Sequence, residues 1–254
     1  MQLNLLKLNQ DKTELCIISA KSADNVFYVE IGGHLILPDM TGTEPPRNLG
    51  VYIDPSLNFD AHVRKTCKAM NFQLRSINKI RSLLTRTITE KLVNALVTSR
   101  MDNCNSLLFG THKYVIQRLQ RVQNYAARTV TQQPKRAHAT PILRELHWLP
   151  VAQRINFKII MLTWKALNGQ APAYLKDIIP AQSSGRATRS SDKSLLLVPR
   201  VKPSFGERAF SYSSPRLWNP LPIELKNQST IDAFKSRLKT FLFDNPTYPP
   251  PLLK

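Results

Sequence analysis

The chain has 254 residues, 42% of them apolar, enough for one large core or two small ones. Its 36 Lys and Arg against 17 Asp and Glu give a net charge of +19, split sharply: residues 1–60 hold four basic and eight acidic residues (−4), and residues 61–254 hold the other 32 and nine (+23). Three scattered cysteines with no C-x-x-C or Cys/His cluster support neither a disulfide framework nor a zinc site, and no apolar run approaches the roughly 18 residues of a membrane span.

Residues 1–8 read as the end of a helix, and residues 14–19 and 26–31 as strands. Gly32-Gly33 makes a hairpin turn into a strand at 34–37, and residues 49–53 read as a fourth strand, stopped by Asp54-Pro55-Ser56. The period then becomes helical. Val63, Cys67, Met70, Leu74, Ile77 and Leu84 form one stripe, while Arg64, Lys65, Lys68, Arg75, Lys79 and Arg81 lie opposite. Thr87 to Glu90 has capping-box spacing and predicts a second helix running towards Arg100, with Ile88, Leu92, Ala95 and Leu96 inside. A third helix is predicted over 113–131 on the stripe Val115, Leu119, Val122 and Ala126. Arg118, Arg121, Tyr125 and Arg128 share its adjacent face, and no Asp or Glu lies between Lys113 and Lys135. Tyr125 there either stacks on a base or packs along the helix.

Residues 132–141 read as a basic loop carrying Lys135-Arg136, followed by a short helix at 142–147. A helix over 151–167, apolar on most sides, is expected at the centre of its domain. Residues 181–194 read as a flexible Ser/Arg/Gly linker, 195–198 as a candidate strand, and 204–222 as irregular chain anchored by Phe205, Phe210, Tyr212 and Trp218. Ser229 to Asp232 opens a last helix with the stripe Ile231, Phe234, Leu238, Phe241 and Leu242. The Pro-rich tail from Pro246 is expected to be disordered or polyproline II. Trp148 and Trp218 read as core anchors, and His147 as a hydrogen-bonded core residue. His62, His112 and His138 read as surface, and the cysteines as reduced, buried thiols.

Several short motifs point further. Leu8-Asn9-Gln10-Asp11-Lys12-Thr13-Glu14, followed by Asn48-Leu49-Gly50-Val51-Tyr52-Ile53-Asp54, resembles motifs D and E of the reverse transcriptase of a non-LTR, LINE-type (jockey-like) retrotransposon. The run from Thr140 through Trp148 and Pro150 to Ile159 resembles that family's "TPxLxxLHWLPVxxRIxFKI" block. Ala171-Pro172-Ala173-Tyr174-Leu175, the segment from Ser214 through Trp218 to Pro222, and Phe234-Lys235-Ser236-Arg237-Leu238-Lys239 resemble later blocks, so the likeness spans residues 8 to about 243.

The resemblance implies a late palm and a thumb. Lys12 would be the motif D lysine, near the outgoing pyrophosphate in the family; read alone it is a solvated turn residue. Leu49 and Gly50 would be the primer grip, where glycine lets backbone approach the primer; read alone Gly50 eases a strand start. The family's catalytic aspartates (motifs A and C) and their Mg2+ ions would lie upstream, and the chain has no Asp-Asp pair. The expectation is therefore no catalysis by the chain alone and no cofactor, Mg2+ belonging only to the full-length enzyme.

The expected fold is α+β: a partial palm (1–57), a helical thumb-like region (58–180), a basic linker and irregular segment (181–216), and a C-terminal helix and tail (217–254). The expected partner is RNA or DNA, held by its phosphates through Arg64, Lys65, Lys68, Arg75, Lys79, Arg118, Arg121, Arg128, Lys135 and Arg136. An anionic membrane is the rival polyanion, and solubility charge the bland reading; no membrane partner is expected. The missing polymerase half is a second candidate partner. A domesticated protein-interaction module and a non-functional pseudogene product are the alternative readings. With no secretory leader in view, the expected location is intracellular, nuclear or cytoplasmic.

Overall fold

The computed structural model describes residues 9, 13–18, 28–31, 33–36, 45–179, 195–202 and 205–249. It is an α+β protein, mostly helical with two small antiparallel sheets, and its packing forms two compact units, Met1–Thr66 and Cys67–Lys254. Among the described residues no helix is long and apolar enough to cross a membrane.

In the first unit, β1 (Val29–Ile31) and β2 (His34–Ile36) form the predicted hairpin, in the register Val29 to Ile36 and Ile31 to His34. β3 (Arg47–Asn48) pairs with β4 (Val51–Tyr52). The strand predicted over 49–53 is therefore corrected: Leu49 (φ 46°) and Gly50 (φ 86°) are the two-residue turn between β3 and β4. Two successive positive φ values match the twist of a tight hairpin, which is why glycine follows here. Of the strand predicted over 14–19, among the described residues 14–18 only Leu15 makes a bridge. Asp54 organises the exit: its Oδ1 accepts from Ser56 Oγ (2.7 Å) and the Asn58 amide (2.8 Å), and its Oδ2 from the Phe59 amide (2.6 Å). Lys12 lies outside the described residues.

Helix α1 (Asp60–Lys79) follows and buries Val63, Met70, Leu74 and Ile77 on one side, as the period predicts, whereas Cys67 of that stripe is half-buried and Leu84 falls beyond the helix end and is half-buried too. His62 is buried rather than on the surface. The next helix starts two residues earlier than expected. Thr85 is its N-cap, with Oγ1 accepting from the Ile88 amide at 3.3 Å, and α2 runs Arg86–Val93. It continues as a π turn (Asn94–Thr98) into α3 (Ser99–Asp102). The inward stripe is corrected to Thr89, Val93, Val97 and Met101, while Ile88 and Leu96 are exposed. The shifted start and the wider π turn together favour a four-residue spacing.

Helix α4 (Lys113–Thr131) has its predicted bounds and buries its predicted stripe. α5 is Ala139–Glu145, not 142–147: it ends in a Schellman cap, with the Trp148 amide on Leu143 O (2.8 Å) and His147 in the left-handed conformation (φ 53°). His147 is consequently exposed, not a core residue. Trp148 and Trp218 are core, as expected. Of the cysteines, Cys16 and Cys67 are half-buried and Cys104 is exposed.

Helix α6 (Val151–Leu167) is the centre of this unit, packed by α4, by α7 (Ala173–Ile178), by α8 (Phe210–Trp218) and by α10 (Ile231–Asp244). α9 (Ile223–Lys226) bridges to α10, and residues 195–198 are irregular rather than a strand. The cap of α10 is Thr230, whose Oγ1 accepts from the Ala233 amide at 3.3 Å, one residue beyond the expected Ser229. α8 replaces the irregular chain expected there. Its serines and Pro215 read as breakers, but Tyr212, Ser214, Leu217 and Trp218 are buried, and Ser214 Oγ lies 2.9 Å from Thr163 Oγ1 of α6.

The tail, as far as residue 249, is docked rather than disordered or polyproline II as expected. Tyr248 is buried, and its hydroxyl donates to Leu217 O. Gln153 Nε2 donates to Pro246 O (2.9 Å), and Asn156 Nδ2 to Tyr248 O (3.0 Å). These buried amides on α6 satisfy a tail backbone that cannot join a helix ladder. Burial pushes the Tyr248 phenol well above the ordinary tyrosine value of 10.0. A neutral phenol held in the folded state stabilises fully below pH 10, and that contribution is lost as pH rises above it. Denaturant unfolding of the parent is therefore expected to lose stability above about pH 10. Tyr248→Phe should lower stability by about 1–2 kcal/mol at pH 7 and flatten that alkaline loss; an unchanged alkaline slope in the variant would contradict the assignment.

Candidate nucleic-acid interface

The end of α4 is built by cations. Arg81, in the turn after α1, is buried and donates from Nε to Thr129 O (2.9 Å), from Nη2 to Val130 O (2.8 Å) and from Nη1 to Leu84 O (2.7 Å). Two of these are last-turn carbonyls of α4 with no partner within the helix, and a guanidinium there also faces the negative end of the helix dipole. Gln132 (φ 55°) then takes the left-handed cap, and the Gln133 amide returns to Arg128 O at 3.1 Å. The loop beyond turns at Pro134–Ala137 through the Ala137 amide on Pro134 O (3.0 Å). Arg128 pins that turn, donating from Nε and Nη2 to Ala137 O at 3.0 and 2.8 Å.

These elements enclose an open cleft of about 300 Å³. Asn78 and Arg81 form one wall, Tyr125, Arg128 and Thr129 another, and Gln132, Gln133 and Lys135 the lip. Every lining side chain is polar and none is acidic. Thr129 Oγ1 is buried without a hydrogen-bond partner, and the Tyr125 hydroxyl accepts from Asn78 Nδ2. A buried hydroxyl without a partner beside cations is what an oxyanion would satisfy.

The predicted cations separate into groups. Lys135 stands on the cleft lip, with Arg136 exposed beside it. Arg121 is exposed on α4. Arg118 is half-buried, its guanidinium 5.4 Å over the Tyr114 ring, and Tyr114 in turn stacks on His112 at 5.7 Å. Burial raises the neighbouring Cys67 thiol to about 11, against the opposing charge of Arg118. Arg128 is engaged in holding the loop, so its part is positioning as much as contact. Tyr125 is half-buried and tied to Asn78, which favours packing over stacking.

On α1, Lys68, Arg75 and Lys79 are exposed on one stripe. Phe72, 62% exposed, stands among them at the same spacing; sequence reasoning passed over it. In the first unit, Arg64 is exposed, Lys65 Nζ sits 3.9 Å above the Tyr52 ring, and Leu49 projects from its turn, 89% exposed, beside Gly50.

Asn78, Thr129, Gln132 and Gln133 were also missed, and Arg81, expected on the basic face of the first helix, is buried instead because its guanidinium satisfies three carbonyls. One signal could have found the region. Residues 61–144 carry 16 basic and only two acidic residues, Glu90 and Asp102, and neither acid lines this cleft. Comparison with family models, with curated proteins and with solved structures gives no match.

Proposed function

We propose that the second unit binds RNA or DNA by its phosphate backbone, without catalysis and without a cofactor of its own. The observation that carries this is the acid-free cleft at the end of α4, with its cationic lip and its unpartnered buried Thr129 hydroxyl. Lys68, Arg75 and Lys79 on α1 extend the same chemistry, and Phe72 among them offers a face on which an unpaired base stacks. The resemblance to the thumb of a LINE-type reverse transcriptase agrees with this reading, since a thumb holds a template–primer duplex by its backbone. Under that resemblance the chain is a polymerase fragment whose Mg2+-binding aspartates belong to another segment.

The test is a titration of labelled duplex by fluorescence anisotropy. Affinity is expected to fall by about tenfold or more between 50 and 200 mM salt. Arg118 and Arg128 hold structure, so the variant is Lys79→Gln, Arg121→Gln and Lys135→Gln together. It should fold as the parent does and lower the salt slope by up to about three, with sequence preference unchanged. Salt-independent binding, or a variant that binds like the parent, overturns the interface. A second reading, a protein-interaction module, draws on exposed Ile18, Tyr28, Leu35 and Leu49 in the first unit, and absent duplex binding at 50 mM salt would favour it.

A further inference from the structure

The π turn between α2 and α3 opens a second cavity, of about 510 Å³, which stands apart from the cleft above and shares no lining residue with it. Residues 90, 94, 98 and 102 all line it, at a constant spacing of four. A regular α-helix drifts away from a four-residue spacing, whereas the wider turn at Asn94–Thr98 keeps Glu90, Asn94, Thr98 and Asp102 on one wall. π turns inside α-helices occur frequently at functional sites.

The walls differ in chemistry. On the α2–α3 side stand Glu90 and Asp102, the only two acids between residues 61 and 144. Asp102 Oδ1 accepts from Asn105 Nδ2 (3.2 Å), which turns the Asn105 Oδ1 the other way; that oxygen is buried with no partner, and Asn105 is only 5% exposed. Glu90 has no ion-pair partner among the described residues. The Glu90 carboxylate and the bare Asn105 oxygen on this wall accept hydrogen bonds and ask for donors.

The opposite wall is cationic. Arg154 and Lys158 stand one turn apart on α6, and Lys239 comes from α10. Arg154 is held by Asp102 (2.7 Å) and by Leu149 O (3.0 Å), which leaves the two ammonium groups for a ligand. Burial lowers Lys239 from its ordinary value, and Arg154 pushes it the same way, so an anion there relieves both. Trp148 and Phe157 supply apolar surface between the walls. At the margin His147 holds a left-handed backbone, where a Schellman cap normally takes glycine. A histidine in this conformation is a local conflict of the kind found at functional sites.

We infer that this cavity binds a guanine nucleotide, with the base against the Glu90 and Asn105 wall and the phosphate on Lys158 and Lys239. The volume falls within the range of small-molecule sites and is too large for an isolated phosphate. A carboxylate only accepts, and among the common bases guanine alone presents two adjacent donors, N1–H and the 2-amino group, to one carboxylate. Adenine offers one donor beside an acceptor that the carboxylate repels. The nucleotide is either free or a single guanosine splayed out of a strand.

Isothermal titration of the full chain with 5′-GMP tests the inference, with 5′-AMP, guanosine and inorganic phosphate alongside. GMP is expected to bind at least about tenfold more tightly than AMP and about tenfold more tightly than guanosine or phosphate alone. The double variant Lys158→Gln, Lys239→Gln should reduce GMP to the affinity of guanosine, and Glu90→Gln should erase the preference over AMP. Both changes are conservative and leave the core intact. His147→Gly should raise the melting temperature, because the cap prefers glycine, while weakening GMP. These variants should leave salt-dependent duplex binding at the α4 cleft unchanged, and the Lys79, Arg121 and Lys135 variant should leave GMP binding unchanged, so the two sites fail or stand separately. A U-tract oligonucleotide with one central G that displaces GMP, where all-U does not, assigns the splayed strand; no displacement assigns the free nucleotide. Equal affinity for GMP and AMP, phosphate binding as tight as GMP, or parental GMP affinity in the lysine variant overturns the assignment.

Discussion

Replacing Arg81 by leucine is expected to destabilise the second unit by about 3–5 kcal/mol and to abolish tight duplex binding. The guanidinium is buried, and each of its three nitrogens donates to a carbonyl, of Thr129, Val130 and Leu84. Hydrogen bonds from a charged donor contribute about 1.5–3 kcal/mol each, and a buried acceptor left bare costs about 1–3 kcal/mol. Leucine fills part of the space and satisfies none of the three. The end of α4 then frays, and with it go the Gln132 cap and the loop that carries Lys135. Lysine in the same place is expected to recover only part of the loss, because one ammonium cannot fork across carbonyls as a guanidinium does. Urea unfolding followed by circular dichroism measures the first effect and anisotropy the second. An Arg81→Leu protein with parental stability would show that water replaces the guanidinium.

Phe234→Ala should cost about as much, roughly 3–5 kcal/mol, without touching either candidate site. Phe234 is fully buried on α10, stacked on Trp164 at 5.4 Å (21° between planes) and tilted on Trp218 at 6.1 Å. Removing the ring opens a cavity between three helices and loses two aromatic contacts. Leucine at this position should recover more than half of the loss, since it restores most of the volume. Intrinsic tryptophan fluorescence of the folded protein should change in the alanine variant, because both flanking indoles lose their neighbour. A loss below about 1 kcal/mol would mean that α8 and α10 close over the gap.

What the sequence disclosed follows from how local each signal was. α4 and α6 have their predicted bounds because a long apolar period needs no partner to be read. The start of α2 was off by two residues because Thr85 and Thr87 are both acceptable caps, and only the buried Thr89 selects the first. α8 and the docked tail were hidden by their composition. Serines, a proline and a Pro-rich run signal loop, and only α6 supplies the surface that overrides it. For the interface, the shortage of acids was legible along the chain, but the division of labour was not. Arg128 and Arg121 look alike on a helical wheel, yet one holds the loop and the other faces solvent. The cavity beside α3 was invisible for a similar reason: its walls come from four separate segments, and its spacing depends on a turn no period announces.

A π turn is an α-helix that has taken up one residue more than its neighbours need. Take that residue out of Asn94–Thr98 and the chain downstream turns back by about 100°, which carries Asp102 away from Arg154 while altering no side chain of either wall. The persistence of the cavity in any relative is therefore a matter of length before it is a matter of identity: a one-residue gap here erases the site even where Glu90, Asp102, Lys158 and Lys239 all remain.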